Sequence, residues 1–129
     1  MSNVKALIID DNRSNILVLE QLLGIENIPV VKLSATANLV ADLDAIRNVE
    51  VVFLDLEMPV VDGYEALRLI KAHPNFKTAK VIAYSVHVSE LNNAFDVGFD
   101  GFLGKPLSAE DFPSQLSRIL RGEKVKYLP

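Results

Sequence analysis

Five short apolar runs, separated by stretches of helical period, constrain this chain more than anything else in it. The runs are residues 4–9, 29–33, 51–54, 80–84 and 101–104. They are rich in Val, Ile, Leu and Phe and mostly do not alternate polar with apolar. A strand with one face in water alternates, whereas a strand covered on both faces does not. The segments near 14–24, 36–47, 63–72 and 88–97, and a last one near 108–121, are long enough for helices. In the first of these, Ile16, Leu19, Leu22 and Leu23 form a stripe at helical spacing, with Ser14 as the expected N-cap and Gly24 as the expected stop. The pattern predicts a doubly wound five-stranded parallel sheet with helices on both faces, a (βα)5 unit. Right-handed crossovers leave few topologies for it. One segment resists: Pro113 would be the fifth residue of a helix capped at Ser108, where its missing N–H costs a hydrogen bond. That helix therefore starts later, near Asp111, or has a distorted first turn.

Bulk properties narrow the function classes. A chain of 129 residues suffices for one domain and not for two. We expect that domain over 1–121, with 122–129 a polar tail or the start of a linker. A net charge of −4 argues against direct DNA contact, which needs a basic surface. No apolar run reaches membrane-spanning length, and Asp10-Asp11 interrupt any signal-like stretch at the start. Cysteine is absent, which excludes disulfides, zinc-thiolate sites and a cysteine nucleophile. A cytoplasmic location is expected.

The polar residues that end these runs carry the chemistry. Asp10-Asp11 follow the first run, Asp55 the third, Ser85 the fourth and Lys105-Pro106 the fifth. In an open parallel sheet the carboxyl ends of the strands share one edge, and ligands bind there. Distant residues thus meet in a pocket of three carboxylates, one hydroxyl and one ammonium. Carboxylates about 4 Å apart repel by roughly 4 kcal/mol at an effective dielectric near 20. A divalent cation such as Mg²⁺ removes that conflict, since it favours hard oxygen ligands. A backbone carbonyl from the rigid Asp55–Pro59 turn, best that of Glu57, is the expected further ligand. Taken singly, each residue has a plainer reading. Asp10-Asp11 could cap a helix, Ser85 could be a turn residue, and Lys105 could be solvated. Asp62 reads as an N-cap, His73 as an exposed loop residue, and Tyr84 and Phe53 as core. His87 could overhang the pocket.

The ordered set Asp10-Asp11, Asp55, Ser85 and Lys105-Pro106 resembles the receiver domain of two-component response regulators, over about residues 4–121. That resemblance implies a flavodoxin-like fold and a signalling phosphoacceptor rather than an enzyme acting on other substrates. It implies that Asp55 accepts a phosphoryl group from a phosphohistidine of a sensor histidine kinase or histidine phosphotransfer protein. Asp11 would bind Mg²⁺ directly, Asp10 through water, and the Glu57 carbonyl would complete the set. Ser85 and Lys105 would hold the phosphoryl group, and Phe102 matches the switch aromatic. The Lys105–Pro106 peptide is expected to be cis. The Asp10–Asn15 stretch looks most like receivers of phosphorelays and hybrid kinases. Val86 stands where a small residue is usual and Phe102 where tyrosine is commoner. Val86, His87 and Glu57 are then the expected modulators of access. Output would pass through the 88–121 region to a downstream protein. A phosphatase using Asp55 would want its nucleophile on the first strand. An FMN-binding protein would want a Ser/Thr/Gly-rich loop in place of Asp10-Asp11. A phosphorylation-independent scaffold would not need the intact acid set.

Overall fold

The computed structural model describes residues 4–58 and 60–129. Its strands are β1 (Ala6–Ile9), β2 (Val30–Leu33), β3 (Val51–Asp55), β4 (Lys80–Ser85), β5 (Gly101–Gly104) and β6 (Lys126–Tyr127). Its helices are α1 (Arg13–Ile25), α2 (Leu39–Asp44), α3 (Gly63–Ala72), α4 (Leu91–Val97) and α5 (Phe112–Leu120). Short 3-10 turns cover Pro74–Phe76 and Val88–Glu90. The strands form one parallel sheet in the order β2-β1-β3-β4-β5-β6. Chain progression reverses direction between β1 and β3, so the loops after these two strands diverge and leave a crevice at their carboxyl ends.

Successive residues of each strand face opposite ways, and both ways are apolar. Leu7, Ile9, Val52, Leu54, Val81, Ala83 and Phe102 pack in one core with residues of α2, α3 and α4. Ala6, Ile8, Val51, Phe53, Ile82, Tyr84 and Leu103 pack in the other with α1 and α5. Each of these side chains is essentially out of water, and burying a large aliphatic or aromatic group contributes roughly 1.5–3 kcal/mol. The non-alternating runs are explained by this two-sided burial.

The boundaries depart from expectation at instructive places. Helix α1 is capped by Asn12, whose side chain accepts from the Asn15 N–H at 3.1 Å, and not by Ser14. Gly24 lies within that helix; the reversal comes at Asn27, in the left-handed region at φ 60°. Asparagine tolerates that conformation better than most residues, so the stop signal was one residue type away from the glycine expected. Helix α2 spans only Leu39–Asp44 instead of 36–47, and the expected 88–97 helix opens as a 3-10 turn before α4. Helix α5 starts at Phe112, which puts Pro113 in the first turn, where no N–H is needed. Asp62 caps α3, accepting from the Glu65 N–H at 3.0 Å, as expected.

Two expectations are corrected outright. Residues 122–129 are not a free tail: Lys126–Tyr127 add a sixth strand beside β5, and Val125 is buried at 1% exposure. The signal was the short alternation Val125–Tyr127, too brief to register as a strand. His73 is not exposed. Its ring sits 9% exposed, with Nδ1 accepting from the Asn75 N–H at 3.1 Å and Nε2 2.7 Å from Asp44 Oδ1. Because Nδ1 accepts, the ring proton is on Nε2 and points at the carboxylate. Asn75 in turn donates to the Leu43 and Ile46 carbonyls and so closes the end of α2.

Candidate phosphoryl-acceptor site

Register builds the site. Ile9 pairs with Leu54, so the next residues, Asp10 and Asp55, stand side by side at the ends of β1 and β3. Asp55 pairs with Tyr84 of β4, and Ser85 pairs with Gly104 of β5, one residue before Lys105. Four strand ends thus deliver two carboxylates, a phenol, a hydroxyl and an ammonium to one edge.

Asp10 is fully buried, and each of its carboxylate oxygens has a partner. Its Oδ1 accepts from the Asn12 N–H at 2.9 Å, and its Oδ2 accepts from the Tyr84 hydroxyl and from Lys105 Nζ at 3.5 Å. Asp55 is 4% exposed; its Oδ1 accepts from the Glu57 N–H at 3.3 Å and from Lys105 Nζ at 3.4 Å. Lys105 also lies over the Tyr84 ring, its Nζ 4.3 Å from the centroid. The Lys105–Pro106 peptide is cis, and the Lys105 N–H donates to the Ser85 carbonyl at 2.8 Å. A buried ammonium needs such partners. The solvated-lysine alternative is therefore excluded.

The electrostatics leave a deficit of positive charge. Asp10, Asp11 and Asp55 each offer an oxygen within 4.8 Å of the others, with Asp11 exposed. Three carboxylates and one ammonium sum to two negative charges. Burial pushes the Asp55 carboxyl up; Lys105 opposes this, Asp10 adds to it, and the result is a group raised to about 6. Burial, reinforced by the hydrogen bond to Asp10, holds the Tyr84 phenol well above the ordinary tyrosine range. Oxygen-only donors, two uncompensated negative charges and one exposed ligand suit a hard divalent cation.

The other expected residues lie nearby in different roles. The Ser85 hydroxyl donates to the Glu57 carboxylate, 2.9 Å from Oε1 and 3.0 Å from Oε2, and accepts from the His87 N–H at 2.9 Å. Glu57, expected to contribute through its carbonyl, engages Ser85 through its side chain. Val86 is 60% exposed and His87 is exposed beside it. Phe102 is fully buried, packed with the α2–α4 side of the sheet.

Two site residues escaped the sequence reading. Tyr84 was assigned to the core; it is core by its ring and site by its hydroxyl. A tyrosine at the end of an aliphatic strand needs a partner for that hydroxyl, which is the signal that was there. Gly63, the first residue of α3, lies so close to β3 that a Cβ on it would be 2.5 Å from the Asp55 carbonyl oxygen and 2.6 Å from Leu56 Cα. Its N–H donates to the Leu56 carbonyl at 3.0 Å. The end of β3 and α3 can meet this closely only at a glycine.

Comparison with known proteins agrees with this geometry. The sequence model of the response regulator receiver domain family matches residues 6–117. The chain is 33% identical over 108 residues to hybrid signal transduction histidine kinase E of Dictyostelium discoideum, covering 80% of this chain and 6% of that protein. It is 34% identical over 113 residues to stress response regulator protein 1 of Meyerozyma guilliermondii, covering 84% of this chain and 51% of that one. It therefore spans about half of the fungal relative and a small part of the amoebal one. The receiver domain of sensor histidine kinase PA1611 from Pseudomonas aeruginosa, with a magnesium ion in its active-site cleft, superposes with a TM-score of 0.74 at 27% identity. That match covers 91% of this chain and 93% of the other. A response regulator from Chloroflexus aurantiacus has the same fold, with a TM-score of 0.80 at 21% identity over 91% of this chain and 97% of that one.

Proposed function

This chain belongs to the response regulator receiver domains, and we propose that Asp55 is the residue that takes the phosphoryl group. The donor is a phosphohistidine of a sensor histidine kinase or of a histidine phosphotransfer protein. The observation that carries this reading is the Lys105 ammonium, 3.4 Å from Asp55 and 3.5 Å from Asp10, at the edge of a three-carboxylate cluster. No helix among the described residues is long and apolar enough to cross a membrane, and the cysteine-free composition fits a cytoplasmic location.

Phosphoryl transfer is mostly positioning and charge compensation. An Asp55 carboxylate oxygen forms a bond to phosphorus while the P–N bond to the donor imidazole breaks, its electron pair leaving with the nitrogen. Lys105 turns from the two carboxylates to the new phosphoryl oxygens. Tyr84 and the Asn12 N–H keep Asp10 oriented throughout. Ser85 gives up Glu57 and donates its hydroxyl to the phosphoryl group. Asp10, Asp11 and Asp55, with the Glu57 backbone carbonyl, would hold Mg²⁺, which when bound supplies the positive charge the cluster lacks. Movement of Ser85 and Lys105 then reaches Phe102 and the 88–121 face, where a downstream protein reads it.

Incubation with Mg²⁺ and acetyl phosphate tests the reading. Intact-mass spectrometry should find one added phosphoryl group in the wild-type chain and none in Asp55→Asn. Equal labelling of the two would move the acceptor elsewhere.

A further inference from the structure

Strand β6 lies where the β5 edge would otherwise be unpaired, and its contacts converge on the residue beside Lys105. The Phe102 N–H donates to the Val125 carbonyl at 2.9 Å, and Phe102 and Leu103 pair with Lys126 and Tyr127. Val125 and Tyr127 pack into the core on the α1/α5 side. On the other side, Lys124 and Lys126 each place Nζ 5.9 Å from the Phe95 ring of α4. One short segment thus touches α4, β5 and the core under α5.

Gly104 is the junction. A Cβ built there would lie 2.5 Å from Pro129 Cδ, 3.0 Å from the Tyr127 carbonyl oxygen and 3.2 Å from Val88 Cγ1. Gly104 is bonded to Lys105, pairs in register with Ser85, and touches Val88, three residues after Ser85. Both groups that turn to a phosphoryl group therefore pull on the backbone against which the C-terminal segment is packed. That segment is lightly held. Only two of its residues are in strand pairing, Val125 alone among residues 121–129 is fully buried, and Leu128 is 55% exposed. Elements with few buried contacts open first. Gly122, at φ +90°, gives a pivot at its start.

We propose that residues 123–129 are a strap that covers the β5 edge and the adjoining α4 surface, and that is loosened when Asp55 carries a phosphoryl group. Loosening uncovers a strand edge with free backbone donors and acceptors, so the strap shields the readout face in the resting protein. This rests on Asp55 being the acceptor, and the test separates the two claims.

The full chain is incubated with Mg²⁺ and acetyl phosphate; an Asp55 oxygen bonds phosphorus as the donor's P–O bond breaks and acetate leaves with the electron pair. Intact mass and hydrogen exchange are read on the same sample. Phosphorylated chains should exchange the amides of 123–128 and of Phe102 at least tenfold faster than unmodified ones, while β1 and β3 stay protected. Val125→Ser, in the full chain without phosphodonor, should reproduce the faster exchange; Tyr127→Ala serves if that variant does not fold. A mass gain without faster exchange in 123–128 overturns the strap and leaves the acceptor intact. No mass gain overturns the acceptor reading and the strap with it.

Discussion

The hydroxyl of Ser85 is held by the carboxylate of Glu57, 2.9 and 3.0 Å from its two oxygens, while its own oxygen accepts from the His87 N–H. Ser85 is fully buried and Glu57 is exposed, so a surface residue sets the direction of a buried donor. Any anion that enters beside Asp55 must compete with Glu57 for that hydroxyl and must also approach a further negative charge.

Glu57→Gln removes that charge and keeps a hydrogen-bond acceptor; Glu57→Ala removes both. Labelling of Asp55 by acetyl phosphate is expected to be faster in both variants, and fastest in Glu57→Ala, where Ser85 is released outright. Rates of mass gain under fixed Mg²⁺ measure this. Melting temperature should hardly move in Glu57→Gln, which keeps an acceptor for the buried Ser85 hydroxyl, and should fall in Glu57→Ala, which removes it at a cost of about 1–3 kcal/mol. Unchanged labelling in both variants would mean that the Ser85–Glu57 contact does not gate the site.

A second consequence concerns pH. The Asp55 carboxyl, raised from 3.8 to about 6 chiefly by burial, binds its proton more tightly in the folded chain than in the unfolded one. Between about pH 4 and 6 the folded state therefore carries more proton, and stability falls as pH rises through that window. Metal-free protein should be less stable at pH 7 than at pH 5 by this contribution, about 1 kcal/mol of the roughly 3 kcal/mol that the whole shift carries. Asp55→Asn should flatten the difference, and excess Mg²⁺ should reverse it by favouring the ionised form. Calorimetry at the two pH values, with and without chelator, decides; an Asp55→Asn profile identical to wild type would remove Asp55 as its cause.

The fold and the acid cluster were legible because they rest on features local in sequence. A strand buried on both faces reads as an unbroken apolar run, and strand-end residues fall at one edge by topology alone. Asp10, Asp11, Asp55 and Lys105 are together for that reason. What escaped depends on geometry between elements. His73 looked exposed because Asp44 and Asn75, its partners, are set by the end of α2 and the 3-10 turn after α3. The Ser85–Glu57 pair joins the end of β4 to the loop after β3 and has no sequence signature. Strand β6 is two residues long, below the length at which alternation can be read, and only pairing with β5 makes it a strand.

Gly63 offers a test of how tightly α3 positions the acceptor. The atoms nearest a Cβ there are backbone, the Asp55 carbonyl and Leu56 Cα, and backbone cannot turn aside as a side chain can. Gly63→Ala should therefore destabilise by about 1–3 kcal/mol despite the better helix propensity of alanine. It should also slow labelling of Asp55, because relief of the clash displaces the acceptor's own backbone. Denaturant unfolding and labelling rate together check this. A stabilised variant would show that α3 can shift away freely.

Val86 remains the test of access. It is 60% exposed, between buried Ser85 and exposed His87, so its side chain has no place in either core. Its β-branched bulk is then free to act only on what approaches from solvent. Val86→Ala should speed both labelling by acetyl phosphate and hydrolysis of the acyl phosphate, because donor and attacking water come to the same phosphorus from the open side. Melting temperature should stay within the range of a neutral surface change. His87→Ala should alter hydrolysis without altering stability, since only its backbone N–H is tied to Ser85. The half-life of the phosphorylated chain, read by intact mass after removal of donor, is the deciding measurement. If Val86→Ala leaves both rates at the wild-type value, the side chain points away from the path to Asp55 and the access argument fails.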